Sequence, residues 1–309
     1  EIGQQHVDEA MEPLRGVPGV HILRTGVRGG LTSLFTRGLN SNHTAVLLEG
    51  FEVTRDGGQF FELDTLTTDA VGGIEILRGP QSALYGSDAV GGVVNFRIPR
   101  GNGPGRVRPS IEFGSYASNR EKVSVQGGDD RFGFNFEASR FEQSNGRIDH
   151  SANEIQGATG RFDFDLSDRT RLMVVVRAPE DDLLQFSNAS GPRFDPLLDP
   201  DANGEKDSLL VGLDFGTWIT DWWDAHVQLQ HYALNRDSFD DPDLVDPFGL
   251  FNTIDEYTKG VAHLYSRFYP CKWDTVTVGV EFEDQELESM SQLFNFDVFP
   301  PVATSNLVE

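Results

Sequence analysis

Short apolar strands separated by glycine-dense turns fill the first hundred residues, and long stretches of strict apolar–polar alternation follow them. Together these predict a small α/β domain followed by an antiparallel transmembrane β-barrel. A third observation separates the barrel from a soluble β-sandwich, which also alternates: the links between the alternating stretches are short and long by turns.

The chain opens on helical spacing, with Val7, Met11 and Leu14 on one face and Gly16 and Pro18 as the stop. Strands are expected at 20–24, 31–37, 44–53, 73–77 and 93–98. The last two bracket a turn-rich segment carrying Gly79, Pro80, Gly86, Gly91 and Gly92, where glycine supplies φ freedom and close backbone approach. Glu75 and Arg78 fall inside an otherwise apolar strand, and such charges need partners if buried. The glycine-containing loops at 25–30 and 54–59 present Thr25, Arg28, Arg55, Asp56 and Gln59, with Phe60 and Phe61 beside Gly57 and Gly58. Most such charges are solvated loop residues; aromatics in a glycine loop more often contact something.

Residues 101–105 read as a linker, and the alternation starts behind it. Phe132, Phe134 and Phe136 oppose Gly133, Asn135 and Glu137; Phe162, Phe164 and Leu166 oppose Arg161, Asp163 and Asp165. Leu209, Val211, Leu213 and Phe215 oppose Gly212, Asp214 and Gly216, and Val276, Val278, Val280 and Phe282 oppose Thr277, Gly279 and Glu281. About nine strands are expected, near 107–116, 119–127, 131–142, 157–166, 170–178, 208–217, 222–235, 256–268 and 273–288. Tight links at 127–130, 167–168, 220–221 and 269–272 contrast with long loops at 143–156, 179–207 and 236–255. Trp222, Trp223, Phe268, Tyr269 and Trp273 flank the tight links, as an interfacial aromatic girdle would.

Composition narrows the function. The formal charge of the 309-residue chain is −24, which speaks against nucleic acid as a partner. The lone Cys271 excludes an internal disulfide framework. Mean hydropathy is −0.35 and no apolar run is long enough for a transmembrane helix, neither of which excludes a strand-built wall. The seven histidines show no metal-ligand spacing with Cys271, and no nucleophile elbow or phosphate loop is present, so an enzyme is not expected. Residues 179–207 carry eight acids against Arg193 and Lys206, and 236–256 carry seven against Arg236, a net −6 in each. Asp199, Asp201, Asn203 and Glu205 follow the oxygen-ligand spacing of a calcium loop, with Gly204 in the turn, although Leu210 stands where the bidentate Glu belongs. A solvated acidic loop is the plain alternative.

The wording of residues 74–100, Ile-Glu-Ile-Leu-Arg-Gly-Pro through Tyr-Gly-Ser-Asp-Ala-Val-Gly-Gly-Val-Val-Asn-Phe, closely resembles the end of the plug domain of TonB-dependent outer-membrane receptors. Leu14–Val20, the Phe35-Thr36-Arg37-Gly38 strand and the His43–Gly50 strand resemble the preceding plug motifs in the same order, except that Glu49 stands where the family usually has Asp. The resemblance implies a plug at 1–100 and the N-terminal part of a barrel at 101–309, about nine strands of about 22. Neither a signal peptide nor the family's coupling box is seen, so the plug is expected to lack its N-terminus and the chain to be a fragment or a trimmed one. It also implies a plug latch at Arg37 and Arg78, with Glu75, paired to barrel glutamates, and a ligand-facing apex at Thr25, Arg28, Arg55, Asp56, Gln59, Phe60 and Phe61. The implied activity is TonB-driven import of a scarce bulky chelate, a ferric siderophore or cobalamin, across the outer membrane of a Gram-negative bacterium, leaning towards the vitamin B12 branch. A signalling receptor of the same architecture, or a passive porin or adhesin, are the alternatives. Implied partners are the TonB energy-coupling protein, the chelate and outer-membrane lipopolysaccharide, with no cofactor required and calcium in the acidic loops as the one candidate ion.

Overall fold

The computed structural model describes residues 11–24, 32–53, 71–144, 152–184, 203–240, 251–295 and 302–308. Three sheets are present among them. A two-stranded hairpin pairs β1 (Val20–Arg24) with β2 (Thr32–Thr36). A four-stranded sheet has the order β4-β3-β6-β5, from β3 (Thr44–Leu48), β4 (Phe51–Glu52), β5 (Gly73–Arg78) and β6 (Gly92–Arg97). Its central pair, β3 and β6, is parallel and buried, which is why both read as unbroken apolar runs. The turn-rich segment between β5 and β6 holds a short helix α1 (Ser82–Tyr85) and a 3-10 turn (Ser87–Val90). At the N-terminal end the described part of the expected helix is a 3-10 helix, Glu12–Gly16, whose Leu14 is buried.

The expected single strand at 44–53 is corrected: it is a hairpin, broken after Leu48. Glu49 and Gly50 have φ of 53° and 89°, the paired positive values that a two-residue primed turn needs, and Leu48 pairs with Phe51.

The third sheet is the wall. It runs in strict sequence order with every pair antiparallel: β7 (Gly103–Phe113), β8 (Ser118–Gly128), β9 (Phe132–Gln143), β10 (Asn153–Ser167), β11 (Thr170–Leu184), β12 (Asn203–Thr220), β13 (Trp223–Phe239), β14 (Phe251–Cys271), β15 (Asp274–Asn295) and β16 (Val302–Val308). Ten strands replace the expected nine, and the first begins within the expected linker, at Gly103. Most strands also outrun their expected ends, so the long links shrink to 144–152, 185–202 and 240–250. The extensions are polar, which hides them from a search for apolar alternation; their ladders continue regardless, with Glu180, Asp181 and Asp182 opposite Asp207, Lys206 and Glu205. Lys206 and Asp181 pair ionically at 3.7 Å.

The tight links hold as expected. Asp129 closes one by accepting hydrogen bonds from the backbone N–H of Arg131 and Phe132, both at 2.8 Å, which depresses its carboxyl pKa. Beside the others the aromatics cluster: Trp223 stacks on Phe268 at 5.7 Å and Trp218 on Tyr269 at 5.4 Å.

Candidate functional site

The described contacts of the β3–β4 hairpin with the wall fall on one level of the wall or within two residues of it. Following the pairings from β9 to β15, Asn135, Arg161, Val175, Gly212, Gln230, Val261 and Glu283 stand directly opposite one another in a single cross-strand row. All lie on the polar or small face of the alternation. The β3–β4 hairpin and the end of β6 lie against this row.

Glu49, at the hairpin turn, is the hub. Arg161 reaches it at 2.9 Å while gripping Asp163 with two parallel bonds of 2.8 and 2.9 Å and donating to the Ile98 carbonyl at 2.8 Å. The other Glu49 oxygen accepts from the Ile98 backbone N–H, and Arg97 lies 3.5 Å away. Only 1% of the Glu49 side chain, 9% of Arg161 and 0% of Asp163 is exposed. Burial raises the Glu49 pKa, and the two guanidinium groups only partly offset it. Two residues on, the Phe51 ring lies where a Cβ on Gly212 would stand, within 2.5 Å, so the wall is hollowed by one missing side chain to receive it. Glu52 then continues the seam. Its backbone N–H donates to the Gln230 side chain at 3.0 Å, its carbonyl accepts from the same amide, and its carboxylate meets Lys259 at 2.8 Å. Lys259 also holds Glu283 at 3.1 Å. At the near edge Asn135 donates to the Pro99 carbonyl at 3.1 Å.

The row divides the wall. On the side of the long links, Leu210, Tyr232, Leu234, Tyr257 and Leu287 join one apolar cluster with Leu34, Val46, Val94 and Phe96 of the small sheets. On the side of the tight links, a cavity of about 1150 Å³ opens between the two. Its wall is polar and internally paired. His226 bridges Asp214 at 3.0 Å and Arg267 at 2.9 Å, Arg267 grips Asp224 with bonds of 3.0 and 2.9 Å, and Tyr265 stacks flat on His226 at 4.7 Å. Gly216 makes room for the His226 ring.

Of the expected latch, Arg78 donates to the Pro18 carbonyl at 3.4 Å, and the Arg37 guanidinium passes beside Gly79. Glu75 accepts from Asn95 at 3.2 Å and lies 3.8 Å from Arg97. These contacts are all within the N-terminal sheets. The apex residues Thr25, Arg28, Arg55, Asp56, Gln59, Phe60 and Phe61 lie outside the described residues, as do Asp199 and Asp201. Asn203 and Glu205 are in β12, not in a loop; Glu205 stands between Asp182 and Asp237. The residues of the joint were not singled out from sequence. Their one legible signal is charge or glycine at mid-strand on the polar face, as at Arg161, Gly212 and Lys259.

The family model described as the TonB-dependent Receptor Plug Domain matches residues 1–93. The vitamin B12 transporter BtuB of Vibrio vulnificus (strain YJ016) is 34% identical over 115 residues, which are 37% of this chain and 19% of that protein. Among solved structures, the ferric yersiniabactin uptake receptor FyuA from Yersinia pestis superposes with a TM-score of 0.78 at 15% identity, covering 99% of this chain and 50% of that one. The siderophore receptor PiuA from Acinetobacter baumannii gives 0.74 at 15%, covering 97% and 46%. At such identities the structures speak for the fold alone, and the chain spans at most about half the length of these relatives. Residues 1–93 thus carry the pattern of the receptor plug, and the wall behind them has the fold of the receptor barrels.

Proposed function

We propose that the chain is the plug, residues 1–100, and the leading wall, from residue 101, of an outer-membrane receptor that imports a bulky chelate, a ferric siderophore or cobalamin, with energy delivered by TonB. The observation that carries this reading is the hairpin seated on the wall: a plug fastened to the inner face obstructs that side of the lumen, so passage of a bulky chelate requires the plug to rearrange. The matched vitamin B12 transporter and the siderophore receptors of the same fold supply the cargo class. Cells carrying the full reading frame are offered radiolabelled cyanocobalamin and radio-iron chelates of the citrate, hydroxamate and catecholate types. One of them is expected to accumulate only when the inner-membrane TonB complex is present, while surface binding persists without it. Accumulation at full rate without that complex would favour a passive pore.

Within this reading Thr25, Arg28, Arg55, Asp56, Gln59, Phe60 and Phe61 form the cargo-facing apex, and Arg37 and Arg78 a second fastening to wall carboxylates. Replacing both arginines by Ala should raise antibiotic leak. Calcium is proposed at the acidic rim, on Asp199, Asp201, Asn203 and Glu205. The register supports it, since Asp182, Glu205 and Asp237 face one another directly and like charges so placed repel. Binding is expected at about 10⁻⁴–10⁻³ M. Calorimetry in detergent free of lipopolysaccharide tests it, and the heat should vanish in the Asp199→Ala, Asp201→Ala variant.

A further inference from the structure

We infer that the β3–β4 hairpin is the fixed hinge of the plug: it stays seated on the wall when the rest of the plug rearranges to let cargo pass. The inference rests on the transport reading above and goes beyond it, because it assigns which part of the plug does not move.

Four features of the joint point the same way. Its ions are buried, and their partners lie across the seam. Lifting the hairpin would leave Glu49 without Arg161 and Lys259 without Glu52, and both Glu49 and Lys259 are almost wholly buried. The edge of β4 is capped by the wall itself. Gln230 both accepts from the Glu52 N–H and donates to its carbonyl, so that one side chain stands in for a neighbouring strand. Phe51 is keyed into the hollow at Gly212, so sliding along the wall brings the ring against a side chain in place of the gap. Lastly, Glu49 holds a left-handed φ of 53°, a conformation a non-glycine residue keeps only where its surroundings enforce it. A latch built to let go needs exposed, singly paired groups. This joint has buried, multiply paired ones on a single row of the wall or within two residues of it.

The test ties the hairpin down. In the full reading frame with Cys271→Ser, the pair Phe51→Cys and Gly212→Cys is oxidised, and uptake of whichever radiolabelled chelate the parent imports is compared before and after reduction. A hinge predicts oxidised and reduced rates within about twofold, a barrier change well under that of a tenfold effect. Uptake that stops on oxidation and returns with dithiothreitol overturns it. If that pair does not form, Glu52→Cys with Lys259→Cys joined by a short bifunctional thiol reagent asks the same question.

A second readout needs no cargo. In purified receptor the Glu52 amide, at the edge of a two-residue strand, should exchange hydrogen as slowly as the β3 amides, and Gln230→Ala should speed it by about tenfold. Fast Glu52 exchange in the parent overturns the hinge whatever the transport result. If no offered chelate is imported, the transport reading fails while this measurement still decides whether the joint is permanent.

Discussion

The plug sheet and the wall use the same apolar residues to opposite ends. In β3 and β6 nearly every side chain is buried, and Val94 and Phe96 are fully enclosed. In β15 the apolar set Val276, Val278, Val280 and Phe282 faces outward, 48–61% exposed, while the inner face carries Glu281 and Glu283. One sheet hides its hydrocarbon within the protein; the other turns it outward and keeps its polar groups for the interior. Burial in this molecule therefore follows what each face points towards, and hydrophobicity alone does not rank positions by importance.

Truncating one aromatic in each sheet should break the symmetry most. Phe96→Ala empties a fully buried site and should cost about 4 kcal/mol of plug stability, whereas Phe282→Ala, on the outer face, should leave the plug's melting temperature unchanged. Calorimetric melting in detergent compares the two. Next comes Arg161→Ala, which strands Glu49 and Asp163 in the interior at about 3 kcal/mol; Arg140→Ala, removing an exposed pair with Glu154 on the same wall, should not shift the melt. Gly212→Leu leaves the outer face of the wall untouched but fills the hollow for Phe51. It should cost about 2 kcal/mol and make the plug more susceptible to protease without loosening the barrel.

The smallest effect is a dependence on pH. Burial raises the Glu49 pKa above its unfolded value of 4.5, so the folded plug binds that proton more tightly than the unfolded chain. The associated stability is fully present below pH 4.5 and is lost as pH rises through the raised value. Stability of the parent measured against Glu49→Gln should thus fall across that window, and a flat difference would show that the carboxylate is held as firmly as the proton.

The alternation of the wall was legible because an apolar outer face and a polar inner face impose a period of two on its strands, as at Leu209–Phe215 and Val276–Phe282. Strand ends were not, because beyond the apolar band ladder hydrogen bonds persist with no hydrophobic requirement, as at Glu180–Asp182. The hairpin break was hidden by Glu49, since a glutamate rarely announces a left-handed turn where Asn or Asp would. The joint was least legible of all. Glu49 finds Arg161, and Glu52 finds Lys259, only after the register of many intervening strands is settled, and no local pattern encodes that distance.

The row beneath the hairpin would also act as a straightedge during assembly. The apolar outer face checks only parity: slipping β12 by two residues keeps Leu209, Val211 and Leu213 outward. The plug checks level, because the same slip brings Leu210 or Asp214 under Phe51 in place of Gly212. A wall folded around its plug would thereby be held to one register out of several that the outward-facing pattern allows. Cysteine mapping between β11 and β12, with and without the plug, would read the difference as one pairing against a mixture.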